Sequence, residues 1–162
     1  MAPFNFVIDI PVRNEWANVD LLRNSILNCF TAIFRDVDGC HIIATVAGEL
    51  LENAIKYGTW TVQESPFRLR VYGMGRKVEV SMENPVDPGS ESVKRVFETL
   101  EWIKTFPSAE EAYRAKLLEV ASADRQLGES RLGLVRIAYE GRCRLSAELN
   151  GEMLRVSSVA EY

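Results

Sequence analysis

The stretch AGELLENAIKYG, residues 47–58, has apolar residues at helical spacing and ends in a glycine. Glu49, Asn53 and Lys56 lie four and three residues apart, so at about 100° per residue they share one narrow stripe of an α-helix. The stripe is either the solvated side of an amphipathic helix or the floor of a binding site, and periodicity alone favours the solvated side. The apolar arc of the same helix comprises Ile43, Ala47, Leu50, Leu51, Ala54 and Ile55.

The residues before this stretch predict a strand and two helices. FNFVIDIPV, residues 4–12, alternates apolar and polar side chains and indicates a strand. Apolar residues at helical spacing predict an amphipathic helix from about Glu15 to Phe34. The sequence DVDG at 36–39 predicts a turn, followed by a helix from about His41 to Tyr57 with Gly58 as its stop.

The residues after the stretch predict two hairpins with helices between them. Asn150-Gly151 is a strong signal for a tight hairpin turn. Ser108 is a good N-cap for the helix predicted within 108–124. The predicted elements are a hairpin around GMGRK within 67–84, helices within 90–106 and 108–124, a loop and short helix within 125–141, and a hairpin within 142–159.

This order, β-α-α-β-β-α-α-α-β-β, predicts an α+β fold. Antiparallel hairpins with grouped helices indicate a two-layer α/β sandwich, with helices on one face of a mixed, mainly antiparallel sheet. The sequence contains no internal repeat, low-complexity tract or interdomain linker. We therefore expect a single domain over residues 1–162, with a helical insert at about 90–125.

Composition excludes several classes of function. The 162 residues are 47% hydrophobic and 26% charged, with a net charge of −4, which gives no reason to expect nucleic acid or an anionic membrane as a partner. No apolar run is long enough to span a bilayer, and the amino terminus lacks a signal-peptide pattern, so we expect a cytoplasmic protein. Cys29, Cys40 and Cys143 are scattered, which favours buried or idle thiols, and the single histidine, His41, favours a structural role.

Three segments in order resemble the histidine-kinase-like ATPases. ELLENAIKYG, residues 49–58, resembles the N box of that family; VEVSMENP, residues 78–85, ends where its first glycine box begins; and SRLGLVRIAYEGRCRLSAELNGE, residues 130–152, resembles its second glycine box and the elements after it. The resemblance covers about residues 4–159. The layout is most similar to the small bacterial anti-sigma serine kinases.

The resemblance implies a site for ATP and Mg²⁺. Glu49 would be the general base, and Asn53 would offer its side-chain carbonyl to Mg²⁺, a cation that prefers oxygen ligands. Lys56 or its neighbour Tyr57 would lie near phosphate. Asn84 stands where the family has an aspartate that binds the adenine amino group, and would accept through its amide oxygen.

The glycine boxes depart from the family pattern. In ENPVDPG, prolines replace glycines of the first box, and Asp87 is a less well-placed substitute for the missing aspartate. The resemblance implies that Gly128 and Gly133 hold phosphate through backbone N–H groups at a helix start. It also implies that the guanidinium group of Arg131 binds phosphate. Ser130 and Arg131 occupy positions where glycine would let the backbone approach phosphate, and Arg131 is equally well explained as a solvated loop residue.

Three functions are compatible with this pattern. The first is a small ATP-binding regulator that phosphorylates a serine on a protein partner of the anti-anti-sigma or response-regulator type; it would bind neither nucleic acid nor membrane, and a homodimer is compatible with it. The second is an inactive protein-binding module with a decayed nucleotide site, and the third, least favoured, is a stand-alone ATP hydrolase. Apolar residues of the insert would form either a docking face for the module or, as we favour, part of the core: Phe97, Trp102, Ile103 and Phe106.

Overall fold

The structure, a computed structural model, describes residues 3–9, 17–59, 67–122 and 132–161. Its elements occur in the order that the sequence predicts. They are β1 (Phe4–Asp9), α1 (Ala17–Ile33), α2 (Val37–Tyr57), β2 (Arg68–Met74), β3 (Lys77–Pro85), α3 (Glu91–Lys104), α4 (Ala109–Ser122), α5 (Gly133–Glu140), β4 (Cys143–Asn150) and β5 (Met153–Glu161).

The five strands form one sheet in the order β1-β2-β3-β5-β4, and every neighbouring pair is antiparallel. The prediction of an α+β fold is confirmed. The prediction of a mixed sheet is wrong for the described strands, because none of their pairs is parallel. A parallel pair needs a single crossover, usually one helix. Here α1 and α2 form a helical hairpin between β1 and β2, and the chain therefore returns antiparallel.

Side chains alternate between a covered and an open face of the sheet. Leu69, Val71, Val80 and Met82 are buried beneath the helices. The opposite face carries cross-strand ion pairs, in which Arg68 bonds Asp9 at 2.7 Å and Arg155 bonds Glu83 at 2.6 Å. The helices therefore cover one face only, as a two-layer sandwich requires.

Helix α2 begins earlier than the sequence predicts. Asp36 is its N-cap, because its Oδ1 accepts a hydrogen bond from the backbone N–H of Gly39 at 3.0 Å. Residues 37–39 are thus the first turn of the helix and not a connecting turn. The carboxyl end is as predicted, since the backbone N–H of Gly58 donates to the carbonyl of Ala54 at 2.9 Å.

Both hairpins use a glycine at the first of two turn residues. Gly75 and Gly151 have φ angles of +63° and +61°, as the first central position of a type II′ turn requires. Asn150 pairs with Met153 and is therefore the last residue of β4. The hairpin at Asn150-Gly151 is confirmed, but its turn is one residue later than the usual Asn-Gly arrangement.

The three cysteines are free thiols. Burial raises the pKa of the Cys143 thiol to about 11, so it stays protonated near neutral pH. Cys40 belongs to the hydrophobic core. The prediction of scattered, unpaired thiols is confirmed. Among the described residues, no helix has the length and apolarity needed to cross a membrane.

We predict that Gly73→Ala destabilises the β1–β2 pair. Gly73 lies opposite Phe4, and a Cβ there would be 2.0 Å from a carbon of the Phe4 ring. Displacing the ring is expected to lower the free energy of unfolding by about 1–2 kcal/mol, as overpacking typically does. Urea denaturation measures this loss. Gly89→Ala is the control, because its Cβ would meet only Asp87 at 3.6 Å and the variant should be near neutral.

Candidate functional site

A cleft of about 330 Å³ opens between α2, α3, α4, α5 and the ends of β3 and β5. Apolar side chains form most of its walls, including Leu50, Val86, Val96 and Leu154. A few polar groups interrupt these walls. A concave, mainly apolar site with a small number of placed polar groups is typical of small-molecule binding.

Asn53 is one of those polar groups and lies where α2 meets the start of α5. A Cβ on Gly133 would be 3.2 Å from Asn53 Oδ1, so the absence of a side chain at Gly133 leaves room for the amide. Asn53 Nδ2 is buried, and none of the described residues forms a hydrogen bond with it. Buried polar groups are normally paired. The unpaired nitrogen lies beneath the surface of the cleft that Asn53 lines.

Asn84 lies at the end of β3 and is also buried on this cleft. Its Nδ2 donates a hydrogen bond to the carbonyl oxygen of Pro85 at 3.1 Å. This bond uses one of the two N–H groups of the amide, and the side-chain oxygen of Asn84 can serve a ligand as an acceptor. The predicted pair of Asn53 and Asn84 thus faces one space, although the two are far apart in sequence.

The start of α5 completes this part of the cleft. Gly133 lines it, and the N-cap Leu132 makes no side-chain capping bond. The first N–H groups of a helix have no partner within the helix, and the dipole there favours negative charge. The start of α5 beside Asn53 is therefore suited to anionic oxygens.

Glu49 lies outside this cleft. Its carboxylate is buried and accepts a hydrogen bond from Arg136 Nη2 of α5. It lines a separate, smaller cleft of about 180 Å³ with His41, Thr45 and Glu140. The stripe on α2 is thus divided: Asn53 faces the larger cleft, and Glu49 faces an arginine.

The other residues implied by the resemblance lie in different places. Lys56 is exposed above the Tyr57 ring, at 5.0 Å from its centroid, and Tyr57 is the one of the two that lines the cleft. Asp87 is exposed and accepts a hydrogen bond from the backbone N–H of Gly89 at 3.0 Å, so it stabilises the turn before α3. Gly128 and Arg131 lie outside the described residues.

The predicted insert at about 90–125 corresponds to α3 and α4, which form a wall of the cleft. Phe97 and Ile103 pack against the core, as the packing interpretation expects. Trp102 lines the cleft and packs edge-on against Phe106, with ring centroids 4.6 Å apart. The helices border the cleft and leave it open.

The sequence interpretation missed Lys116 and Arg136. Lys116 lines the cleft from α4, and its side chain is only 10% exposed. No local signal pointed to Lys116, because a lysine on a helix with several charged residues is usually solvated. Arg136 gave no local signal, because its partner Glu49 is 87 residues away in the chain.

The donor set in the cleft limits how it could hold a metal. Among the residues that the structure describes, no three His, Cys, Asp or Glu side chains lie close enough together to bind a metal ion. Asn53 offers an oxygen of the kind that Mg²⁺ prefers. A magnesium ion there would need further oxygens from a bound ligand, so these residues fit a metal that arrives with a phosphate compound.

The sequence matches no protein-family model and no curated protein. The resemblance to the histidine-kinase-like ATPases therefore rests on its three motifs and on the positions of the residues in them.

Proposed function

We propose that this chain is a small cytoplasmic ATP-binding signalling regulator, similar to the anti-sigma serine/threonine kinases. One observation carries the proposal: Asn53, Asn84 and Gly133 come from three separate motif segments and line a single cleft of about 330 Å³. That volume lies within the range of roughly 300–1,000 Å³ that small-molecule sites occupy.

The polar groups of the cleft suit the two ends of a nucleotide. Asn84 would accept a hydrogen bond from the adenine amino group, while Val86, Leu154 and other apolar walls cover the base. Asn53 would bind Mg²⁺ through its side-chain oxygen, and the start of α5 would bind phosphate oxygens through backbone N–H groups. Magnesium-bound ATP would supply the phosphoryl group.

The kinase activity depends on Glu49. As a general base, it would accept the proton of a serine hydroxyl on a protein partner. In the structure its carboxylate bonds Arg136 and faces the smaller cleft. Glu49 could therefore accept the serine proton during phosphoryl transfer only after this ion pair opens. A partner of the anti-anti-sigma or response-regulator type that binds beside α5 would separate Glu49 from Arg136.

The same ion pair favours a second function, an inactive protein-binding module on this fold. A carboxylate already bonded to arginine is a poor proton acceptor. The test is capture of the protein partner by the Glu49→Ala/Asn53→Ala variant. Capture without phosphorylation of the partner by the unaltered protein supports the module, whereas phosphorylation that the double variant loses supports the kinase.

We predict that calorimetry with millimolar ATP and Mg²⁺ detects binding, and that Asn53→Ala weakens it at least about tenfold. The reason is the loss of one hydrogen bond to a charged group or metal, worth roughly 1.5–3 kcal/mol. Asn28→Ala is the matched control, since Asn28 is an exposed residue of α1 and does not line the cleft. If the folded protein binds no ATP at millimolar concentration, the proposed function is wrong.

A further inference from the structure

Helix α4 has an inverted pattern of burial. Its buried side chains are Ala112 and Lys116, whereas Leu117 and Leu118 are 40% and 72% exposed. Lysine is almost never fully buried unless it is paired, because removing its ammonium group from water is unfavourable. A helix that only filled space here would turn a leucine inward. The ammonium group of Lys116 therefore needs partners at this buried position.

Lys116 is held by two neighbours at the wall of the cleft. Its Nζ lies 2.8 Å from Glu119 Oε2 and 5.2 Å from the centroid of the Trp102 ring. Glu119 is half exposed, with 51% of its side chain accessible, so the counter-ion lies on the solvent side of the ammonium group. Trp102 and Lys116 both line the cleft.

The other charged groups around the cleft are at its mouth. Glu91, Arg95 and Glu98 on α3 line the cleft and are exposed, so water screens their charges. Lys116 is instead buried, where a charge interacts more strongly with a ligand than it does in water. Lys116 thus brings a buried positive charge to the wall of the cleft that Asn53 also lines.

We propose that Lys116 binds the anionic part of the ligand of this cleft, exchanging the Glu119 carboxylate for ligand oxygens. The chemical class is a phosphate or polyphosphate ester. The inference rests on the proposed function in that ATP is the ligand of this class expected there. Upon binding, the carboxylate of Glu119 turns to solvent, and the ammonium group of Lys116 donates to phosphate oxygen over the face of Trp102.

The first arm of the experiment compares ATP with adenosine by calorimetry. Lys116→Met keeps the aliphatic stem and removes the charge. It is expected to weaken ATP binding roughly 10- to 100-fold, the loss of one charge-assisted hydrogen bond, and to leave adenosine binding unchanged. Lys116→Arg is expected to restore much of the ATP affinity. An equal loss for ATP and adenosine, or no loss for either, overturns the proposal.

The second arm tests the exchange of partners. Glu119→Gln removes the competing carboxylate and is expected to tighten ATP binding about threefold. Lys104 and Glu101 provide a matched control, because they form an exposed pair at the same i,i+3 spacing, at 2.7 Å, outside the cleft. Lys104→Met and Glu101→Gln should change neither affinity. If Lys116→Met does not fold, an unchanged affinity in Glu119→Gln overturns the proposal on its own.

Inorganic tripolyphosphate separates this inference from the proposed function. If adenosine binds and ATP binds no more tightly, the proposal that Lys116 binds phosphate is wrong, while the proposal of an adenine site is supported. Tripolyphosphate could bind when neither adenosine nor ATP does. If Lys116→Met then abolishes tripolyphosphate binding, the anion site is supported and the proposed function is wrong. If none of the three binds, both fall.

Discussion

Phe30→Ala is expected to lower the free energy of unfolding by about 3–5 kcal/mol, the range for removing a buried aromatic side chain. Phe30 of α1 is 1% exposed and contacts the rings of Phe4, Phe6 and Phe34, with centroids 5.5–5.7 Å away. These rings join α1 to the edge strand β1. The variant removes the centre of that cluster and leaves a cavity that the neighbours fill only in part.

Urea denaturation followed by circular dichroism measures the loss. Leu21→Ala is the control on the same helix, because Leu21 is 65% exposed and its truncation should stay within about 0.5 kcal/mol. A loss below about 1.5 kcal/mol for Phe30→Ala would contradict the packing of α1 on β1. Truncating a fully buried phenylalanine in a close-packed core lowers the free energy of unfolding by more than that.

The order of the elements could be predicted because hydrophobic periodicity is a local signal. Alternation in FRLRVYG and KVEVSM identifies β2 and β3 without knowledge of what covers them. Short capping signals are also local: Ser108 and Gly58 predict the start of α4 and the end of α2. Asp36 is ambiguous, because an Asp followed by Gly39 is also typical of turns.

Long-range relations could not be predicted from periodicity. The pairing of β3 with β5 places Asn84 opposite Leu154, and this register depends on the packing of the whole sheet. A polar stripe on a helix likewise says only which side is polar. Asn53 lines the cleft, while Glu49, one turn earlier, meets Arg136 from another helix. Periodicity therefore predicted the stripe and not its division.

Lys116 shows a different limit of sequence interpretation. Lysine on a helix with several charged residues is usually solvated, so the general expectation places it outward. In α4 the small Ala112 and Lys116 are the buried residues, while Leu117 and Leu118 are exposed. Only the three-dimensional packing shows which side faces the cleft.

Arg136→Met is expected to destabilise the protein by about 2–3 kcal/mol, because it leaves the Glu49 carboxylate buried without its partner. The Glu49 side chain is 11% exposed and that of Arg136 is 41% exposed, so the effect should be smaller than for a fully buried pair. The double variant Glu49→Leu/Arg136→Met should recover most of the stability, since a buried ion pair is often replaced by apolar side chains at little net cost.

A double-mutant cycle with Glu49→Leu and Arg136→Met isolates the coupling between α2 and α5. Glu140→Gln is the control. The Glu140 side chain is 44% exposed and lies 3.6 Å from Arg136 Nε, so the variant should change stability by less than about 0.5 kcal/mol.

The size of the coupling also decides between the two functions. A coupling of about 2 kcal/mol would oppose separation of Glu49 from Arg136, which favours the protein-binding module unless a partner opens the pair. A coupling near zero would mean that water reaches Glu49 and that its carboxylate is available as a base without assistance. That result would contradict the buried ion pair and favour a kinase whose base is free before its partner binds.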